Sequence, residues 1–192
     1  MKTTNIMIVG VGGQGSLLAS KLLGQLLVAE NYDVKVSEVH GMSQRGGSVV
    51  TYVRYGEKVY SPVICDGEAD FIVSFETIEA ARYANCLRPD GKVIVSTQKI
   101  DPMPVIIGAA EYPDNVLDEM KSKGVSVDDL DALSLANEAG SAKAVNIVLM
   151  GRLAKYLDIP VESWLDQIEK TVKPKFVEIN KKAFMLGYNY SC

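Results

Sequence analysis

The passage NIMIVGVGGQGSLLASKLL, near the start of the chain, constrains the fold most. Ile6 to Val9 read as a short apolar strand that breaks into glycines. Leu18, Leu22, Leu26 and Ala29, with Leu23 and Leu27, then recur at helical spacing, and Asn31 supplies a stop signal. Gly10, Gly12 and Gly15 fit G-x-G-x-x-G at the junction. A strand that turns through glycines into a helix is the first half of a βαβ unit, which commits the chain to an α/β fold. In this pattern Gly10 permits the sharp turn, Gly12 removes a Cβ so that backbone N–H groups are exposed, and Gly15 allows close helix packing. Gly13 opens the turn further and Gln14 adds an amide. Free N–H groups at a helix N-terminus attract phosphate or carboxylate. Three readings stay open: a dinucleotide, a phosphate or other anion, and a tight turn with no ligand. A dinucleotide asks for an acid at the end of the second strand. Glu38 is close to that place, but the following HGMSQRGG would crowd an adenosine site.

Further along, DVKVSEVH alternates as a strand does. SVVTYVRYGEKVYSPV predicts two strands around a Tyr-Gly-Glu-Lys turn. ADFIVSF is an apolar strand, ETIEAARYANCL a helix closed by the turn RPDG, KVIVSTQ a further strand and PVIIG a short additional one. DNVLDEMKSKG reads as a helix and VSVDDLDA as a strand or extended piece. SAKAVNIVLMGRLAKYL is a helix with an apolar stripe through Ala144, Ile147, Val148 and Gly151. PVESWLDQIEKTV, with Pro160 just before its first turn, and KFVEINKKAFMLGY are the last helices. This order predicts a three-layer, Rossmann-like, open and mostly parallel sheet with an inserted hairpin, and C-terminal helices packed on the same core.

A second glycine cluster, GMSQRGG, joins two predicted strands. Arg45 is a planar fork of donors suited to phosphate or carboxylate. Gly46 and Gly47 let the backbone approach a partner, and Ser43 and Gln44 add polar contacts. Ligands of open α/β sheets lie beyond the carboxyl ends of the strands. Both glycine loops sit at such ends, so they should be neighbours and could build one site. The other reading is a solvated turn with Arg45 in a surface ion pair. Glu76 and Glu79 follow the strand ADFIVSF; they could do acid–base work or complement a helix dipole, and Glu76 is the stronger site candidate. His40, the only histidine, has no nucleophile placed beside it, which favours a packing or hydrogen-bonding role. Trp164 and the C-terminal tyrosines suit core or interface, and KTVKPK and NKK suit solvated faces.

Composition narrows the classes of partner. The 192 residues carry a formal net charge of −4, which argues against nucleic acid or an anionic membrane as the main partner. No apolar run approaches the roughly 18 residues that span a bilayer, and the N-terminal apolar stretch is too short for a signal-peptide core, so a cytoplasmic location is expected. Cys65, Cys86 and Cys192 are scattered and form no CxxC, so they offer no cluster that would hold zinc or iron–sulfur by itself.

Taken together, GVGGQGSLLASKLL, EVHGMSQRGGSVVTYVR and GEADFIVSFETIEAARY resemble the gamma domain of the 2-oxoacid:ferredoxin oxidoreductases, in the branch that acts on indolepyruvate. The resemblance continues through GKVIVSTQKIDP and DALSLANEAGSAKAVNIVLMGRLAKYL and covers nearly the whole chain; GMSQRGG is its most specific piece. AGSAKAVN departs from the Gly-Asn common in the family, while Asn146 matches. The resemblance implies a single gamma-type catalytic domain over residues 1–192. It also implies an enzyme that decarboxylates aryl 2-oxoacids with thiamine diphosphate, couples the product to coenzyme A and sends electrons through iron–sulfur clusters to ferredoxin. It places the thiamine site and the clusters on a large partner subunit, leaves this chain without cofactors and inactive alone, and makes GMSQRGG a contact loop facing that partner or coenzyme A. The residues it marks are Gly10, Gly12, Gly13, Gln14, Gly15, Ser43, Gln44, Arg45, Gly46 and Glu76. The chain lacks a Gly-Asp-Gly thiamine signature, since Asp66-Gly67 follows Cys65. The alternative is a stand-alone Rossmann-like module that binds a nucleotide or another anion.

Overall fold

The computed structural model describes residues 3–41 and 46–191. The six strands among them form one sheet in the order β2-β3-β1-β4-β5-β6: β1 (Thr4–Val11), β2 (Asp33–His40), β3 (Ser48–Gly56), β4 (Ala69–Ser74), β5 (Leu87–Ser96) and β6 (Val127–Leu130). β1, β4, β5 and β6 are parallel, and β3 runs antiparallel to both β1 and β2. The sheet is therefore mostly parallel, as expected. The inserted hairpin, however, is β2–β3, in register from Asp33↔Gly56 to His40↔Val49.

The expected second strand in SVVTYVRYGEKVYSPV does not form, and the backbone from Glu57 to Val63 lies outside the sheet. Arg54 explains part of this: its guanidinium takes the Ser61 and Val63 carbonyls at 3.1 and 2.6 Å, acceptors that a strand would have offered to a neighbour. RPDG is not a turn but lies within β5, where Ala69 pairs with Leu87 and Phe71 already with Lys92, a bulge that absorbs Pro89 and Gly91. PVIIG is helical rather than extended, because Pro102 precedes and Pro104 opens the short helix α3 (Met103–Ile106).

The remaining helices are α1 (Ser16–Ala29), α2 (Thr77–Arg82), α4 (Val116–Ser122), α5 (Ala132–Ala139), α6 (Val145–Ala154), α7 (Val161–Thr171) and α8 (Val177–Tyr188). The helix expected over SAKAVNIVLMGRLAKYL begins as a 3-10 turn at Ala142–Ala144 and ends at Ala154. α5 is a helix beyond those expected from the sequence: Asp131 caps its start by accepting from Ser134 N and Gly140 closes it at φ 114°.

The period of two along β1 sets the layers. Ile6 and Ile8 join the larger core with α1, α5, α6, α7 and α8, and Met7 and Val9 join the smaller one with Ala80 of α2 and Met120 of α4. Leu22, Leu23, Leu26 and Leu27 of α1 are buried, each contributing about 1.5–3 kcal/mol. α6 is buried along its whole length. It can be so because Gly151 and Gly187 let α6 and α8 meet backbone to backbone: a Cβ at either would collide with a carbonyl oxygen, of Phe184 or of Val148. The one charge in α6, Arg152, is held by Asp128 of β6 in a two-point pair (2.6 and 3.0 Å) and also donates to the Tyr190 carbonyl at 2.5 Å.

Candidate functional site

From the carboxyl end of β1 the chain goes to β2 and β3 on one side of it, and from the carboxyl end of β4 to β5 on the other. The carboxyl ends of β1 and β4 therefore flank the point where strand order reverses, the usual ligand position in open α/β sheets. The Gly10–Gly15 loop lies there and is tied on three sides.

The first tie is to the second glycine cluster. Gly12 N donates to Gly47 O at 2.8 Å and Gly46 N to Gly12 O at 3.2 Å, so the β1–β3 ladder runs on into both loops. This brings the two clusters together as the sequence predicted. It also occupies the Gly12 amide, which the motif alone would have left open. The second tie is Gln14. Its Oε1 accepts from Val11 N at 2.7 Å, and its Nε2 donates to the Phe75 carbonyl at 3.0 Å and approaches Gln98 Oε1 at 3.4 Å. The Gln14 amide thus fastens the loop across the crevice to the end of β4, and its Oε1 and the Phe75 side chain crowd Gly10. The third tie is Asn146 of α6, which donates to the Gly15 carbonyl at 3.2 Å. Gly15 caps α1 at φ 90°, and a Cβ there would lie 2.8 Å from Asn146 Nδ2, so the position needs glycine for both its backbone and its space. Gly13, at φ 106°, has open space around it.

Beside this loop a cavity of about 430 Å³ is lined by Gly12, Gly13, Gly15, Ser16, Glu38 and His40, among others. The first turn of α1 carries no acid, and its residues Ser16 and Leu17 line the cavity, so the positive end of the helix dipole lies at the cavity wall, with Glu38 as the acid of the lining. Ser16 adds a mostly buried hydroxyl. Glu38 is exposed near the end of β2, two strand spacings from β1 because β3 lies between, roughly 9.5 Å rather than the single spacing of a dinucleotide fold. His40 is exposed and contacts the Gly41 carbonyl at 3.1 Å. Ser43, Gln44 and Arg45 lie outside the described residues.

Glu76 is almost fully buried and caps α2. Its carboxylate accepts from Glu79 N (2.9 Å), Ile100 N (3.2 Å) and the Tyr112 hydroxyl. Burial, followed by this bond, pushes the Tyr112 hydroxyl pKa well up. Glu79, also buried, takes the Ser48 hydroxyl and Arg82 Nε (3.1 Å). The two carboxylates therefore brace the ends of β3 and β4 and the segment after β5. A notch of about 70 Å³ between Gly46, Ser48, Glu76, Glu79 and Arg82 is the space left there. The partners Asn146, Tyr112 and Ser48 lie far along the chain from the groups they hold, so no local pattern announced them.

Cys65 is exposed and Cys86 buried, and among the described residues no group of three His, Cys, Asp or Glu side chains could hold a metal ion. Burial pushes the Cys86 thiol up to about 11. Three cysteines in the whole sequence do not fit a cluster that takes four. No helix among the described residues is long and apolar enough to cross a membrane.

Comparison with known proteins is consistent along the whole chain. An indolepyruvate oxidoreductase subunit from Thermococcus kodakarensis is 46% identical, with 97% of this chain and 95% of that protein aligned. One of the same name from Archaeoglobus fulgidus is 40% identical over 96% of this chain and 94% of that protein. In fold the chain is similar to a pyruvate oxidoreductase subunit from Thermotoga maritima (TM-score 0.74, 21% identity, 98% and 96% of the two chains). It is also similar to part of a 2-oxoglutarate:ferredoxin oxidoreductase from Magnetococcus marinus (TM-score 0.73, 17% identity, 97% of this chain and 30% of that one). Residues 5–190 match the pyruvate ferredoxin/flavodoxin oxidoreductase family, and with relatives this similar over this much of its length the chain belongs to that family.

Proposed function

We propose that the chain, as one gamma-type unit over residues 1–192, is the small subunit of a 2-oxoacid:ferredoxin oxidoreductase acting on indolepyruvate or a related aryl pyruvate. The reaction is oxidative decarboxylation to the acyl-coenzyme A with reduction of ferredoxin. Thiamine diphosphate and iron–sulfur clusters, on a large partner subunit, supply the decarboxylation and electron-transfer chemistry. The chain is inactive alone and meets ferredoxin only through the complex. Its work is to bind and orient. The observation that carries this reading is the reciprocal Gly12–Gly46/Gly47 pairing, which joins two glycine loops beside a cavity at the switch point of the sheet. The names of the similar relatives support the substrate.

In this reading Gly13, Gly15 and Gly46 give close backbone approach, and the first turn of α1 and Ser16 favour an anionic group such as a coenzyme A phosphate. Ser43, Gln44 and Arg45 add side-chain contacts from the neighbouring loop. Gly10, Gly12, Gln14 and Glu76 hold the two loops in place.

The test is Arg45→Ala in the assembled enzyme. Loss of one charge-assisted contact, about 1.5–3 kcal/mol, raises the KM for coenzyme A roughly tenfold or more while subunit assembly is unchanged. A variant that assembles and keeps full activity at limiting coenzyme A removes the contact from the account.

A further inference from the structure

Next along α1 from the glycine loop, a groove of about 370 Å³ opens between Leu18, the 3-10 turn at Ala142–Ala144 and the connection from α7 to α8. Its apolar lining includes Leu18, Val172, Phe176 and Ile179, and its charged lining is Lys143 and Lys173. Phe176 is 43% exposed in a chain that buries Phe75 and Phe184 completely, so an aromatic face is left in water at the groove.

Several polar groups of the walls are already engaged. Asn180 Nδ2 donates to the Phe176 carbonyl at 2.8 Å, Thr171 Oγ1 donates to Gln25 Oε1 at 3.1 Å, and the Ser141 hydroxyl accepts from Lys143 N at 3.3 Å. Lys143 and Lys173 add two ammonium groups to the walls, and neither is in an ion pair among the described residues. This runs against the balance of the chain, in which 24 acids outnumber 20 bases. Lys175, with Nζ 4.8 Å from the Phe176 ring centroid, places a third cation beside the groove. An apolar trough with cations on its wall and no acid in its lining selects a ligand with an apolar body and one anionic end. The volume, near the lower end of the roughly 300–1,000 Å³ range of ligand pockets, selects a small one.

We propose that this groove binds a small monocarboxylate with an aromatic or branched apolar body, the body lying on Leu18, Val172, Phe176 and Ile179 and the carboxylate facing Lys143 and Lys173. The proposal stands apart from the function proposed above, since the groove shares no lining residue with the cavity at the glycine loop.

It is tested by titrating the full chain with phenylacetate, 2-phenylethanol and acetate, followed calorimetrically. Phenylacetate is expected to bind saturably at one site, at least tenfold more tightly than the neutral alcohol or acetate. The double variant Lys143→Gln, Lys173→Gln, both exposed and therefore expected to fold with unchanged Tm, weakens phenylacetate about tenfold, and Phe176→Ala weakens it by a similar factor. Absence of saturable phenylacetate binding, equal binding of 2-phenylethanol, or unchanged binding by the double lysine variant overturns the proposal.

Discussion

α6 and β2 are opposites. Every residue of α6 is buried, including an asparagine and an arginine, whereas no residue of β2 is, and Val36 and Val39 stand about half in water. Both belong to one sheet-and-helix framework. α6 lies under the glycine loop and holds it through Asn146. β2 is the free edge of the sheet and brings Glu38 and His40 to the cavity rim. Rigidity therefore sits behind the site and adaptability beside it, as expected where a scaffold positions loops for binding.

The largest effect should come from breaking the buried side of this contrast. Arg152→Ala leaves the Asp128 carboxylate buried without its two-point partner, a loss of about 3–5 kcal/mol. Thermal unfolding of the variant should shift down by about 10 °C, at roughly 2–4 °C per kcal/mol for a chain of this size. A shift of only a degree or two would mean that α6 is not the anchor described. Gly151→Ala comes next. Its Cβ must push α8 away from α6, for about 3 kcal/mol, measured as a lower denaturation midpoint with an unchanged slope.

On the other side, Val39→Lys changes an exposed edge position and should move stability by no more than about 0.5 kcal/mol in the isolated chain. A large loss there would erase the contrast. The smallest effect concerns Asp33, at the start of β2. Its hydrogen bond with Lys35, aided by Val59 N at 2.9 Å, holds its carboxyl down to about 2. A depressed carboxyl contributes stability above its unfolded value near 4 and loses it as pH falls through 2. Asp33→Asn should therefore flatten the stability profile slightly between about pH 4 and 2 and leave it unchanged in shape near neutrality.

What could be read from the sequence follows the same division. β1, α1, β4 and the last helices carry strong local periodicity, and they appear where the spacing puts them. The place of β3 between β1 and β2 is a long-range pairing that no local pattern records, and it alone moves Glu38 away from β1. RPDG and PVIIG have turn and strand composition, but a bulge and a proline-opened helical turn accommodate them. α5 carries its signals at its ends, in Asp131 and Gly140, while the residues it buries are Ala132, Ala136 and Ala139 rather than large apolar side chains. At the site, the meeting of two glycine loops followed from both lying at strand carboxyl ends. The ties through Gln14 and Asn146, and the enclosure of Glu76 by Tyr112 and Ile100, depend on residues brought together only by the fold.

The most direct test of the central claim is to tag this chain in its native cell, purify it gently without oxygen and identify what accompanies it. The account expects a large partner carrying thiamine diphosphate and iron–sulfur clusters, in fixed ratio to the chain, and indolepyruvate-dependent ferredoxin reduction by the pair. A colourless chain with no partner, binding a nucleotide tightly by itself, would contradict it.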